Sequence, residues 1–199
     1  MATTPSPGTT NQPVVPVRER LIEAAAEITT TAGWSAVTMA RLAEAVGVSR
    51  QTVYNDIGGK QALAEAMILH ELDRFLTVVT DAFDDHPDDL IGAIRAAARD
   101  CLACAQGNPL LHAVVSATHG ADTELLPLLT THSESLLAVA KLVVADRVAA
   151  YDLDVDARHL DAAIDMVVRV VLSHVMQPSA DPAQTGDDLA WIAERVLRA

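Results

Sequence analysis

The side chains with the most specific chemistry in this chain are gathered between positions 38 and 60. Arg50, Gln51, Thr52, Tyr54 and Asn55 fall within one short stretch, and Lys60 follows closely. An arginine can donate to both acceptors on the guanine edge. The amides of Gln and Asn match the donor–acceptor pair of adenine, and a threonine methyl can touch the thymine methyl. Ser49, Thr52, Tyr54 and Lys60 suit phosphate oxygens, which fix register on a duplex without reading its sequence. The chemistry on offer is recognition of double-stranded DNA.

Such a row of side chains needs a short, well-supported helix beneath it. Thr38 can cap a first helix by accepting from the open amides of its first turn. Met39, Leu42, Ala43 and Val46 give that helix one apolar stripe. Gly47 follows, where a sharp turn calls for a left-handed backbone, and Val48 can plug that turn into a core. Ser49 is a second N-cap, opening a helix over RQTVYND. Val53 and Ile57, four apart, face inward, which leaves Arg50, Gln51, Thr52, Tyr54 and Asn55 outward. The pattern is a helix-turn-helix, whose second helix can enter a major groove. An ordinary helical hairpin with a polar outer face has the same spacing. The amide-rich outer face with Tyr54 and Lys60 is what points to DNA.

On these residues the chain resembles the TetR-type transcriptional regulators over positions 17–63. The resemblance lies in Ala24 to Ala26 and Gly33, the Thr38-to-Val46 helix, GVSRQTVYN, and the spacing of Tyr54, Ile57, Lys60 and Leu63. It implies an all-α homodimer that represses transcription until a small ligand binds a larger C-terminal domain. Two residues depart from the pattern. Ile57 stands where that family most often has Phe, and an acidic Asp56 lies beside the expected DNA face.

Charge distribution bears on this reading. The chain of 199 residues has a net charge of −13, which is unusual for a DNA binder. Residues 14–60 carry five basic and five acidic side chains, so the whole excess lies elsewhere. An acidic body disfavours non-specific contact and leaves binding to a few oriented cations. A neutral head also implies that two heads act together. Half the residues are hydrophobic but only 3% are aromatic, so the core must be Ala, Val and Leu. No apolar run approaches the roughly 20 residues of a membrane span. With no basic-then-apolar leader and two cysteines, the expected setting is a reducing cytoplasm, without membrane association.

Taken in order, residues 1–16 are rich in Thr and Pro and are expected to be a disordered tail. The helix-turn-helix domain spans 17–63, beginning with a helix over 17–33 whose stripe is Leu21, Ile22, Ala25 and Ile28. The ligand-binding and dimerisation domain spans 64–199. A long helix from Lys60 to about His86 joins the two and is the natural lever between them. Further helices are expected at 88–107, capped by Asp88, then 109–119, 122–151, 156–177 and 187–198. That makes nine helices and no strand. The helix at 156–177 is apolar around much of its girth and must be covered on more than one side. The resemblance implies that the last two helices pair with a second copy, and Leu160, Ile164, Val168, Val171, Leu189, Ile192 and Val196 are the candidates for that seam. A symmetric dimer would set its reading helices one turn of DNA apart or somewhat more, matching a palindromic operator.

The larger domain holds fewer distinctive residues. Cys101 and Cys104, three apart on a helix, can be a redox pair or half a metal site, with His112 and His119 as the other half. A lone CxxC carries little weight, the histidine spacing fits no usual zinc set, and cysteine packs readily as a small hydrophobe. No cofactor and no catalytic residue is implied. A ligand pocket is the stronger reading: Arg99, His112, Ser116, His119, His132, Arg169 and His174 are polar candidates among Val, Leu and Ala walls. Arg169 follows Asp165 by four, which an intrahelical ion pair equally explains. So few aromatics favour an aliphatic effector, such as a fatty acid or its thioester, over a planar drug. The expected function is a ligand-responsive DNA-binding repressor. An enzyme is disfavoured, since no nucleophile elbow, P-loop or paired-His motif occurs. The alternatives are a protein-interaction adaptor and a thiol sensor built on Cys101 and Cys104.

Overall fold

The two short helices of the N-terminal third are each opened by a local cap. The Thr38 hydroxyl accepts from the Arg41 amide at 3.2 Å, and the Ser49 hydroxyl from the Thr52 amide at 3.0 Å. Gly47 sits at φ 73°, ψ 37°, the left-handed conformation the turn demands. Its amide and that of Val48 both return to the Ala43 carbonyl at 3.0 Å.

The computed structural model describes residues 15–112 and 133–197. Among these, the elements are α1 (Val17–Ala32), a 3-10 turn (Trp34–Ala36), α2 (Met39–Val46), α3 (Arg50–Ile57), α4 (Lys60–Asp84), α5 (Leu90–Gln106), α6 (Ser133–Val148), α7 (Ala157–Met176) and α8 (Pro182–Leu197), with no strand among the described residues. The expected tail lies almost wholly outside the described residues. So do most of the helix foreseen at 109–119 and the first part of that foreseen at 122–151.

Two apolar cores flank α4. The first joins α1, α2, α3 and the start of α4, with Leu21, Leu42, Val53 and Leu63 wholly buried and Trp34 at 4% exposure. The second gathers around Phe83 of α4 and Leu90, Ala93 and Ala96 of α5, with Val148 of α6. One residue from beyond α5 returns to the first core: Leu110 is buried there. The buried Asn108 beside it donates to the Glu71 carboxylate of α4 and caps the following turn through the Leu111 amide at 3.0 Å. Segment 108–111 therefore ties the end of α5 to the head.

Two boundaries differ from the sequence expectation. Asp89, not Asp88, caps α5, accepting from the Gly92 amide at 2.9 Å. The last helix begins at Pro182 rather than Asp187. Asp181 caps it through the Gln184 amide at 2.9 Å, with proline in the first position, where its missing donor costs nothing. Gly186 reads as a breaker in sequence but sits inside α8 because α8 lies hard against α5. A Cβ at Gly186 would stand 2.9 Å from the Arg95 carbonyl oxygen and 3.2 Å from the Arg99 Cβ. Buried Ala190 and Ala193 continue this seam of small residues.

Candidate nucleic-acid interface and effector cavity

Helix α3 presents the expected face. Val53 and Ile57 are buried at 0% and 5%, while Arg50, Gln51, Tyr54 and Asn55 are exposed. The Gln51 amide nitrogen donates to the Asn55 side-chain oxygen at 2.9 Å, so the two candidate base readers orient each other along one helical ridge. Ser49 and Thr52 hydroxyls lie 2.9 Å apart, and Thr38 stands at the head of α2. Both caps leave their hydroxyls at the ends of helices whose open amides favour anions. Lys60 opens α4 with its ammonium 5.0 Å from the centre of the Trp34 ring. Trp34 is thus both a core plug and a seat for that cation.

Sequence reasoning missed how α1 holds this face. The Arg18 guanidinium donates to the Asp56 carbonyl at 2.6 Å, and that of Arg20 to the Val46 carbonyl at 2.6 Å. Both carbonyls lie in the last turn of a helix, where the backbone dipole favours a cation. The two arginines brace the ends of α3 and α2 from α1. The signal was their position opposite two helix termini, which only the packed head reveals.

In the larger domain an apolar cavity of about 150 Å³ lies between α4, α5, α6 and α7. Phe75 and Leu76 of α4, Ala98 and Cys101 of α5, and Val168 and Val171 of α7 are among its walls. The Cys101 thiol is pushed up to about 12, first by burial and then by Cys104 and Asp100. It is protonated at neutral pH and approaches the Phe75 carbonyl at 3.8 Å. Such a thiol is a wall group, not a nucleophile. Among the described residues no cluster of three metal-binding side chains occurs.

The polar candidates for this cavity divide into three groups. His112 and His174 come together, lining a second hollow of about 150 Å³ next to it. The His112 Nε2 is 2.9 Å from the Gln106 carbonyl oxygen, and His174 lies between the Val170 carbonyl at 2.8 Å and the Ser179 hydroxyl at 2.9 Å. Arg99 and Arg169 do not point inward. Arg99 is exposed and paired with Asp100 at 2.7 Å. Arg169 is exposed and holds Asp165 at 2.7 Å, with Lys141 of α6 on the same carboxylate at 3.2 Å. Hydrogen bonds from Arg169 and then Lys141 keep the Asp165 carboxyl below the usual carboxylate range. The ion pair, not the pocket anchor, is the observed role. Ser116, His119 and His132 lie outside the described residues.

The residues of the expected dimer seam divide between the chain's own interior and its surface. Ile164, Val168 and Leu189 are buried within their own chain at 7%, 8% and 4%. Leu160 packs against the second core, and Val171 faces the cavity. Ile192 and Val196 do remain exposed, at 47% and 48%. Met166, Val170, Leu172 and Met176 of α7 and Trp191 of α8 are exposed as well, and Met166 borders the same hollow as Ile192 and Val196. An apolar stripe shows that a helix is covered, not which neighbour covers it. No helix among the described residues is long and apolar enough to cross a membrane.

Known proteins share this arrangement. Residues 21–67 match the model for bacterial regulatory proteins of the tetR family, and residues 89–195 match that for the bacterial tetracyclin repressor C-terminal domain. The HTH-type transcriptional regulator AlkX of Mycobacterium tuberculosis is 30% identical over 177 residues, covering 87% of this chain and 82% of that protein. The crystal structure of the TetR family repressor AlkX from Dietzia sp. strain DQ12-45-1b, implicated in biodegradation of n-alkanes, aligns with a TM-score of 0.72 at 27% identity, over 90% of this chain and 96% of that one. A tetR-family regulator from Streptomyces coelicolor shares the fold at a TM-score of 0.59 and 17% identity, over 90% and 79% of the two chains. A capped reading helix, a matching C-terminal domain and relatives that are transcriptional regulators lead to one conclusion: the chain belongs to the TetR family and is a DNA-binding transcriptional regulator, not an enzyme.

Proposed function

We propose that this protein is a homodimeric repressor released from a palindromic operator by a small aliphatic effector. The observation that carries the effector class is the cavity between α4 and α7, walled by aliphatic side chains, Phe75, Phe83 and a protonated Cys101. Such walls take hydrocarbon, and only Phe75 and Phe83 among them offer a face to a planar ring. The relation to a repressor implicated in n-alkane biodegradation supports the same class. His112 and His174, at the adjoining hollow, receive the polar end of the effector. Thr38, Ser49, Arg50, Gln51, Thr52, Tyr54, Asn55 and Lys60 contact DNA. The dimer forms through Met166, Val170, Trp191, Ile192 and Val196 of two copies.

Release follows from a shift of population. Effector in the cavity favours an arrangement of α4 and α5 in which the heads no longer meet two successive major grooves. The shift is limited by how much better the effector binds that arrangement. α4 and the 108–111 segment link cavity and head physically. The test is direct. Medium-chain fatty acids should raise the melting temperature and lower affinity for the chain's own upstream DNA. Stabilisation by aromatic drugs with no response to any acyl compound overturns the effector class. Failure to retain upstream DNA in a gel shift overturns the operator.

A further inference from the structure

Three hollows lie in series along α5 and α7. The first, of about 150 Å³, includes His112, His174 and Leu102 in its wall. The second is the apolar cavity of about 150 Å³. The third, of about 400 Å³, opens between α7 and α8 beside Leu160 and Ala163. Val175 borders both the first and the second. Ile94, Val144 and Val167 border both the second and the third. The order is the same along either helix: His174, Val171, Leu160 on α7, and Leu102, Ala98, Leu90 on α5. From His174 back to Leu160 a helix rises about 21 Å. The partition between the second and third chambers is aliphatic and only half-buried.

Volume decides what can bind. A dry cavity of about 150 Å³ holds a benzene, so the middle chamber alone takes about six carbons. A longer chain has to continue elsewhere, and the neighbouring apolar space is the third chamber. We propose that the three hollows form one channel for a single unbranched amphiphile, with its polar group at His112 and His174 and its distal methylenes between α7 and α8. Chain length is then what the effector reports. The third chamber includes Met166, Ile192 and Val196, exposed at 62%, 47% and 48%. These belong to the face assigned above to the second copy. A long chain therefore ends beside the subunit seam, and a short one stops before it. This inference rests on the aliphatic-effector reading.

Calorimetric titration of the full chain with hexanoate, decanoate and tetradecanoate tests it, in wild type, Ala163→Leu and Leu160→Trp. Both substitutions fill the third chamber, and neither residue lines the second. Each methylene removed from water is worth about fourfold in affinity, so wild type should bind tetradecanoate, whose chain is long enough to enter the third chamber, more than about tenfold tighter than hexanoate. Both variants should keep hexanoate binding, which also certifies their fold, and lose most of that gain. A gain that persists in both variants, or tetradecanoate no tighter than hexanoate in wild type, overturns the channel. Side chains of the second copy would then fill the third chamber. Loss of hexanoate in both variants overturns the separation of chambers. Failure of all three acids to bind wild type is a different pattern, and removes the aliphatic reading together with this one.

Discussion

Gln51 and Asn55 engage each other before any duplex arrives. Their mutual bond uses the Gln51 nitrogen and the Asn55 oxygen, so the Gln51 oxygen remains as an acceptor and the Asn55 nitrogen as a donor. Gln51→Ala should therefore change sequence preference, costing about 1–3 kcal/mol on the true site alone. Binding-site selection with wild type and variant checks this, and an unchanged motif rules Gln51 out as the reader. Lys60→Ala should act differently, weakening binding to all sequences and making its salt dependence shallower by about one ion. At Cys101 the raised thiol sets a third expectation. At pH 8 the folded chain should label at Cys104 first with a thiol-reactive dye, and Cys101 should react only on unfolding. Equal rates at the two thiols would revive a sensor reading. Capping residues were legible from sequence because Thr38, Gly47 and Ser49 act within four residues of themselves. Arg18 and Arg20 were not, because their partners lie 38 and 26 positions away.

Among the helices, the tightest meeting is that of α5 and α8. At Gly186 an added Cβ meets backbone, which cannot swing aside as a side-chain tip can. Gly186→Val should cost about 1–3 kcal/mol through overpacking, read as a lower denaturant midpoint at unchanged slope. An unaltered midpoint would mean that α8 shifts freely on α5. This contact also explains why the start of α8 escaped sequence reading. Asp181 and Pro182 form a good helix opening, but Gly186 lies inside the first turns and reads as a stop until α5 is in place. The same limit explains the seam residues. Periodicity places Ile164, Val168 and Leu189 on apolar stripes, yet the stripe is wide enough to serve two neighbours. Burial assigns these three to the chain's own core and leaves Met166, Trp191 and Ile192 outside.

For the molecule as a whole, the proposed dimer makes that outer face a determinant of DNA binding. Ile192→Glu should convert dimer to monomer in sedimentation velocity. It should weaken operator binding by about a hundredfold, because the second head loses its tether. A dimer that survives Ile192→Glu places the seam elsewhere. The bracing of the head by Arg18 and Arg20 has a consequence for how such a dimer finds its site. Those two guanidiniums keep their charge but are fixed on backbone carbonyls, so the cations of a head with five basic and five acidic side chains should meet a duplex in one preset arrangement and hold random DNA weakly. Residence on arbitrary genomic DNA is then brief. The proposed dimer should then search by repeated landing from solution more than by long one-dimensional sliding.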